Sequence, residues 1–119
     1  MEATVKENTQ NANYYPVLTA VEFATAIEKP GVFLLDVRGA DEFKEAHIAG
    51  AHNIDVTNAD FLKEAKRVLP ANQTIAVYCR SGKRSSMASD MLAANGYKVI
   101  DLEGGITAWQ EAGEPVTAQ

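Results

Sequence analysis

"TIAVYCRSGKRSSMASDMLAANGYKVIDL", residues 74–102, decides the fold. Its first five residues are apolar and rich in β-branching, the composition of a central strand. Met87 and Met91, and Ala88 and Leu92, then recur four residues apart on one side of a helix that Asn95 and Gly96 end. "KVIDL" (98–102) reads as a further strand. Strand, loop, helix and strand in that order imply an α/β domain with a mostly parallel sheet.

The same alternation extends upstream. "YPVLT" (15–19) reads as an extended edge segment, and Thr19 caps a helix in which Val21, Phe23, Ala24 and Ile27 repeat at roughly helical spacing until "KPG" (29–31) ends it. "VFLLDV" (32–37) is a continuous apolar run, expected of a strand buried on both faces, and a short helix follows around Ala40 to Ala46. "GAHNID" (50–55) leads through a turn into a short strand, and a helix runs from about Asn58 to Val68, stopping at Pro70. "GGITAWQEAG" (104–113) supplies the last helix. No internal repeat, low-complexity tract or second domain interrupts this pattern.

Composition sets the outer bounds. A chain of 119 residues is one domain able to bury a single core. The division expected is a polar, flexible leader over 1–13, a domain over 14–114 and a tail over 115–119; the leader could equally be what remains after removal of a targeting segment. A net charge of −5 argues against nucleic-acid binding, which needs a basic face. No strictly apolar run exceeds five residues, so nothing in the sequence suits a bilayer. These features suit a monomer of the cytoplasm, or of the periplasm if a targeting segment has been lost.

Cys79 is the only cysteine, so no internal disulfide can explain it. It directly follows a central strand, where α/β sheets bind ligands, and it sits among Arg80, Lys83 and Arg84 in an otherwise acidic chain. Gly82 can take a left-handed conformation before a helix expected to start near Ser85, so loop amides and three cations together favour the thiolate. The alternatives are a buried structural thiol and solvated surface charges. A nucleotide-binding loop fails on Val77 and Arg84, which stand where Gly and Ser or Thr are required. A cysteine phosphatase needs Arg six residues after its nucleophile, but that residue is Ser85 and Arg84 comes one early. There is no CxxC, no GxSxG and no metal-ligand spacing beyond His47 and His52.

Three segments, "LLDVRGADEFKEAHIAGAHNI" (34–54), "VYCRSGKRSSMAS" (77–89) and "DLEGGITAW" (101–109), resemble the rhodanese family of single-domain sulfurtransferases. The resemblance runs from about residue 16 to 113, with Ala46 and Ala49 standing where the family pattern has Gly and Pro. It implies a rhodanese-like α/β fold, with about five strands in the central sheet and helices on both faces. It also implies that Cys79 takes sulfur from a small anionic donor such as thiosulfate, forming a persulfide that cyanide or a thiol relieves, with no cofactor and no metal. The binding loop would comprise Arg80, Ser81, Gly82, Lys83, Arg84 and Ser85, its amides cradling the persulfide and the Ser85 hydroxyl donating to sulfur. Asp36, Arg38 and His47 match positions that tie the surrounding loops together; Asp101 and Glu103 are expected to help close the sheet edge, and Trp109 to be core or a pocket wall. A non-catalytic module that carries sulfur or binds a partner is the alternative function, with a phosphatase or arsenate reductase of related fold behind it.

Overall fold

The computed structural model describes residues 6–7 and 15–118. In chain order the elements are β1 (Lys6–Glu7), β2 (Pro16–Leu18), α1 (Ala20–Ile27), β3 (Val32–Asp36), α2 (Ala40–Glu45), β4 (His52–Asn53), α3 (Phe61–Val68), β5 (Thr74–Tyr78), α4 (Lys83–Ala94), β6 (Lys98–Leu102) and α5 (Gly105–Glu111). The sheet order is β1-β2-β6-β5-β3-β4, with every pairing parallel except that of β1 with β2. This is the expected α/β sheet of five parallel strands. The rest of the leader expected over 1–13 lies outside the described residues.

Side chains alternate across a strand, so β5 feeds two cores. Ile75, Val77 and Cys79 join Leu35, Ala88, Leu92 and Val99 on the face covered by α3 and α4. Ala76 and Tyr78 join Phe23, Leu34, Leu102, Ile106 and Trp109 on the face covered by α1 and α5. Helices on both faces are what the continuous apolar runs of β3 and β5 demand.

Local signals account for most boundaries. Thr19 closes a capping box with Glu22, its hydroxyl accepting the Glu22 amide at 3.3 Å while the Glu22 carboxylate accepts the Thr19 amide at 2.8 Å. The third helix starts at Phe61 rather than Asn58, because Asn58 makes a turn instead: its side chain accepts the Asp60 amide and its carbonyl the Phe61 amide. Helix α4 starts two residues earlier than expected, directly after Gly82. Val21 and Met87, read from spacing as members of apolar faces, are 64% and 50% exposed, since each short helix buries only a narrow stripe.

Two placements correct the sequence reading. Asp101 does not close a sheet edge, because β6 lies between β2 and β5 in the interior of the sheet. The segment 115–118 packs onto the domain: the Pro115 carbonyl accepts Trp109 Nε1–H at 2.8 Å, and Thr117 exchanges backbone hydrogen bonds with His47. Trp109 is core, buried edge-to-face against Phe23.

The α5 start presses on the end of β5. The Ile106 and Thr107 amides donate to the Cys79 and Arg80 carbonyls at 2.9 and 3.1 Å. Gly105, at φ +61°, makes this approach possible: a Cβ there would sit 2.5 Å from the Cys79 carbonyl oxygen and closer still to that of Arg80. Gly105→Ala is therefore expected to destabilise the fold by about 2 kcal/mol or more. Urea unfolding measures this, with Gly113→Ala, where the added methyl meets open space, as a control for the torsion alone.

Candidate active site

Cys79 directly follows the central strand β5 and is 1% exposed. The chain turns at Arg80–Ser81, and Gly82 takes φ +108° before α4 begins. That torsion aims the Gly82 amide back at Cys79, donating to Sγ at 3.0 Å. The sulfur thus faces the amino-terminal end of a helix of twelve residues, where unpaired amides carry partial positive charge.

The three loop cations do not act alike. Arg80 and Lys83 are exposed. Arg84 instead grips Glu42 of α2 with both terminal nitrogens, at 2.7 and 2.9 Å. The hydrogen bond from Arg84 outweighs partial burial and, with the Gly39 amide, holds the Glu42 carboxyl down to about 2. Glu42 in turn raises the Arg84 guanidinium above its ordinary range. Arg84 therefore joins the loop to α2 as part of a neutralised pair, leaving Arg80 and Lys83 as the two exposed charges of the cluster.

Ser85 is also placed differently from expectation. Its hydroxyl is 3.2 Å from the Gly82 carbonyl oxygen and interacts with the Asp101 carboxyl, so it faces the interior behind the loop rather than the sulfur. Burial pushes the Asp101 carboxyl up to about 7, with Asp90 adding to the effect and Ser85 and the Leu102 amide opposing it. The spacing of Ser85 and Asp101 in sequence carries no hint of this contact. The signal missed was Asp101 itself, an acid within an apolar strand.

Asp36 and Arg38 form a second layer at the end of β3. The Arg38 Nε donates to both Asp36 oxygens at 3.0 Å, and Nη2 donates to Asp36 Oδ2 and the Ala46 carbonyl, both at 2.6 Å. Burial works against the Arg38 charge, but the Asp36 contacts prevail and raise its affinity for the proton. The Asn53 side chain donates to the Asp36 and Arg38 carbonyls, fastening β4 to this corner. Ala46 has φ −168°, extended backbone open to any residue, so the family's Gly is not needed there. His47 is 4% exposed, stacked on Phe43 with ring centroids 3.7 Å apart, and its Nδ1 lies 2.7 Å from the Phe43 carbonyl oxygen. The Tyr78 hydroxyl, which burial drives well above its ordinary range, accepts the Ile48 amide at 3.0 Å. Arg38, Glu42 and Arg80 line a cleft of about 360 Å³ that Ile106, Thr107 and Gln110 close from the α5 side.

A sequence model described as the rhodanese-like domain matches residues 19–112. An uncharacterized protein of Bacillus subtilis, YqhL, is 34% identical over 93 residues, covering 77% of this chain and 70% of that protein. Thiosulfate sulfurtransferase 16 of Arabidopsis thaliana, named as chloroplastic, is 34% identical over 113 residues, covering 87% of this chain and 94% of the relative. Among solved structures, a rhodanese-related protein from Thermoplasma volcanium superposes with a TM-score of 0.77 at 32% identity, over 87% of this chain and 98% of that one. With a strand, a cysteine loop and a helix arranged as described, and with the match spanning most of its length, the chain belongs to the family of rhodanese-like domains.

Proposed function

We propose that this protein transfers sulfane sulfur from a thiosulfate-like anion to a thiophilic acceptor through a persulfide on Cys79. One observation carries the reading: the Sγ of the only cysteine stands at the end of the central strand, receiving the Gly82 amide at 3.0 Å beside the start of α4. A relative named thiosulfate sulfurtransferase and another named sulfurtransferase support the class of reaction.

In the first step the thiolate attacks the outer sulfur of thiosulfate. A sulfur–sulfur bond forms to Cys79 while the donor's own sulfur–sulfur bond breaks, and sulfite leaves with the electron pair. In the second step cyanide or a thiolate attacks the outer persulfide sulfur, and Cys79 leaves as the thiolate. No net oxidation of the enzyme occurs, and the two half-reactions give ping-pong kinetics. The Gly82 amide stabilises negative charge on sulfur in both states, acting as an oxyanion-hole donor does. Exposed Arg80 and Lys83 draw the anionic donor towards a protein whose net charge would repel it. A cysteine that attacks as the thiolate needs no separate general base, which leaves His47 to its contacts with Phe43.

Incubation with thiosulfate is expected to add one sulfur to the intact mass, and cyanide to remove it. Cys79→Ser should neither gain the sulfur nor turn over, with an unchanged circular dichroism spectrum, since the hydroxyl is a far poorer nucleophile. Turnover in that variant would eliminate the persulfide route.

The unequal cations make a separate expectation. Lys83→Gln should raise KM for thiosulfate by about fivefold or less and leave kcat near its original value, an effect that added salt diminishes. Arg84→Gln should lower stability as well, because it leaves Glu42 without its bidentate partner. Steady-state kinetics at two ionic strengths, together with thermal unfolding, separate the two roles.

A further inference from the structure

Behind the cysteine loop lies a polar cluster that the transfer chemistry does not use. Asp101, 4% exposed, pairs in register with Val17 of β2 and Val77 of β5. Facing it, α4 presents Ser85 and Ser89, both 0% exposed. Among the described residues, Asp101 Oδ1 and Ser89 Oγ are buried without a hydrogen-bond partner. The Ser85 hydroxyl has two acceptors within reach, the Gly82 carbonyl and the Asp101 carboxyl, and only one proton to give. Gly82 is also the residue whose amide donates to Cys79 Sγ.

We propose that Asp101 is a positioning residue for Cys79, its protonation state selecting, through Ser85, how firmly Gly82 holds its amide on the sulfur. With Asp101 protonated, its O–H donates to Ser85 Oγ, and the Ser85 proton goes to the Gly82 carbonyl. With Asp101 ionised, its proton released to solvent, the Ser85 proton turns to the carboxylate and the Gly82 carbonyl keeps only the Ser86 amide, at 3.1 Å. The Gly82 carbonyl and amide flank one α-carbon at φ +108°, a torsion glycine leaves readily, so loosening one side changes the aim of the other. Burial, raising Asp101 to about 7, brings the change within the neutral range: protonated below, ionised above.

The titratable groups packed around Asp101 are Asp90 of α4, Tyr15 ahead of β2, which donates to Asp90 at 2.7 Å, and Cys79 at the end of the neighbouring β5. Lys83 and Arg84 of the same helix turn away, to solvent and to Glu42. The proposal deepens the sulfur-transfer reading of this site and rests on it for its biological consequence, but its test does not require sulfur transfer.

The test is the rate of alkylation of Cys79, the single thiol, by neutral iodoacetamide across a pH range spanning neutrality, with the carboxylic C=O infrared band followed in parallel. Besides the ionisation of the thiol itself, the wild-type profile should carry a step of about threefold centred near pH 7, the scale of one redirected hydrogen bond. Asp101→Asn should lose both the step and the band. Ser85→Ala should lose the step while its band still disappears near the same pH, a combination that a merely structural Asp101 does not produce. A step that survives in either variant, or a wild-type protein without the protonated band below neutrality, overturns the proposal. If Asp101→Asn does not fold, Ser85→Ala and the wild-type band decide the matter. Failure of thiosulfate to persulfidate a protein that shows the step would sink the sulfur-transfer reading alone.

Discussion

Everything around the sulfur depends on one close backbone approach. The amides of Ile106 and Thr107 donate to the carbonyls of Cys79 and Arg80, and this is possible only where Gly105 brings no side chain between them. With the carbonyls of Cys79 and Arg80 turned towards α5, the next residues must turn the other way. Gly82 completes that turn in the left-handed region and delivers its amide to Sγ. The "GG" of the last segment and the Gly of the cysteine loop therefore act as one device, twenty-two residues apart in sequence and 3.6 Å apart between the Gly104 nitrogen and the position of a Cβ on Gly82.

Around this centre the protein adds ties of different strength. The Arg38–Asp36 pair is buried, so its desolvation cost offsets most of its attraction, and its value lies in fixing geometry. Arg38 gives the second N–H of Nη2 to the Ala46 carbonyl, which joins the end of β3 to the end of α2. The Arg84–Glu42 pair joins the other end of α2 to the loop, nearer to solvent. Helix α2 has no fully buried residue of its own, so these two arginines, together with the stack of Phe43 on His47, set where it lies beside the site.

The sheet, its parallel sense and the position of Cys79 were legible because they rest on local signals: continuous apolar runs, a capping Thr19 with Glu22, and glycines at chain reversals. What was not legible depended on contacts between distant residues. The sequence shows Arg80, Lys83 and Arg84 as one cluster, but which of them finds an acid is decided by α2, forty-two residues upstream of Arg84. The partner of Ser85 is likewise set by strand order. Asp101 looks like an edge residue in sequence because β6 is the last strand, yet the chain inserts that strand between β2 and β5 and so buries the carboxyl. The short stretch 115–118 lies beyond the last helix, and nothing local in its sequence encodes the backbone contacts that Thr117 and Pro115 make with distant residues.

The source of the positive field at Cys79 follows from this accounting. The chain carries a net charge of −5, so the anionic donor of the proposed reaction would be repelled at long range and drawn in only by local groups. Arg84 contributes little net charge, being neutralised by Glu42 at 2.7 Å. Arg80 and Lys83 are exposed, and salt at physiological strength screens exposed charges beyond about 8 Å. The Gly82 amide and the first turn of α4 are instead held against the sulfur by hydrogen bonds and burial, where screening is weak. On the proposed sulfur-transfer reading, side-chain charge governs the encounter with a donor, and the backbone dipoles at Sγ stabilise negative charge on the sulfur during transfer. On that proposed reading, an acidic protein needs no strongly basic surface to serve an anionic donor at a buried thiol.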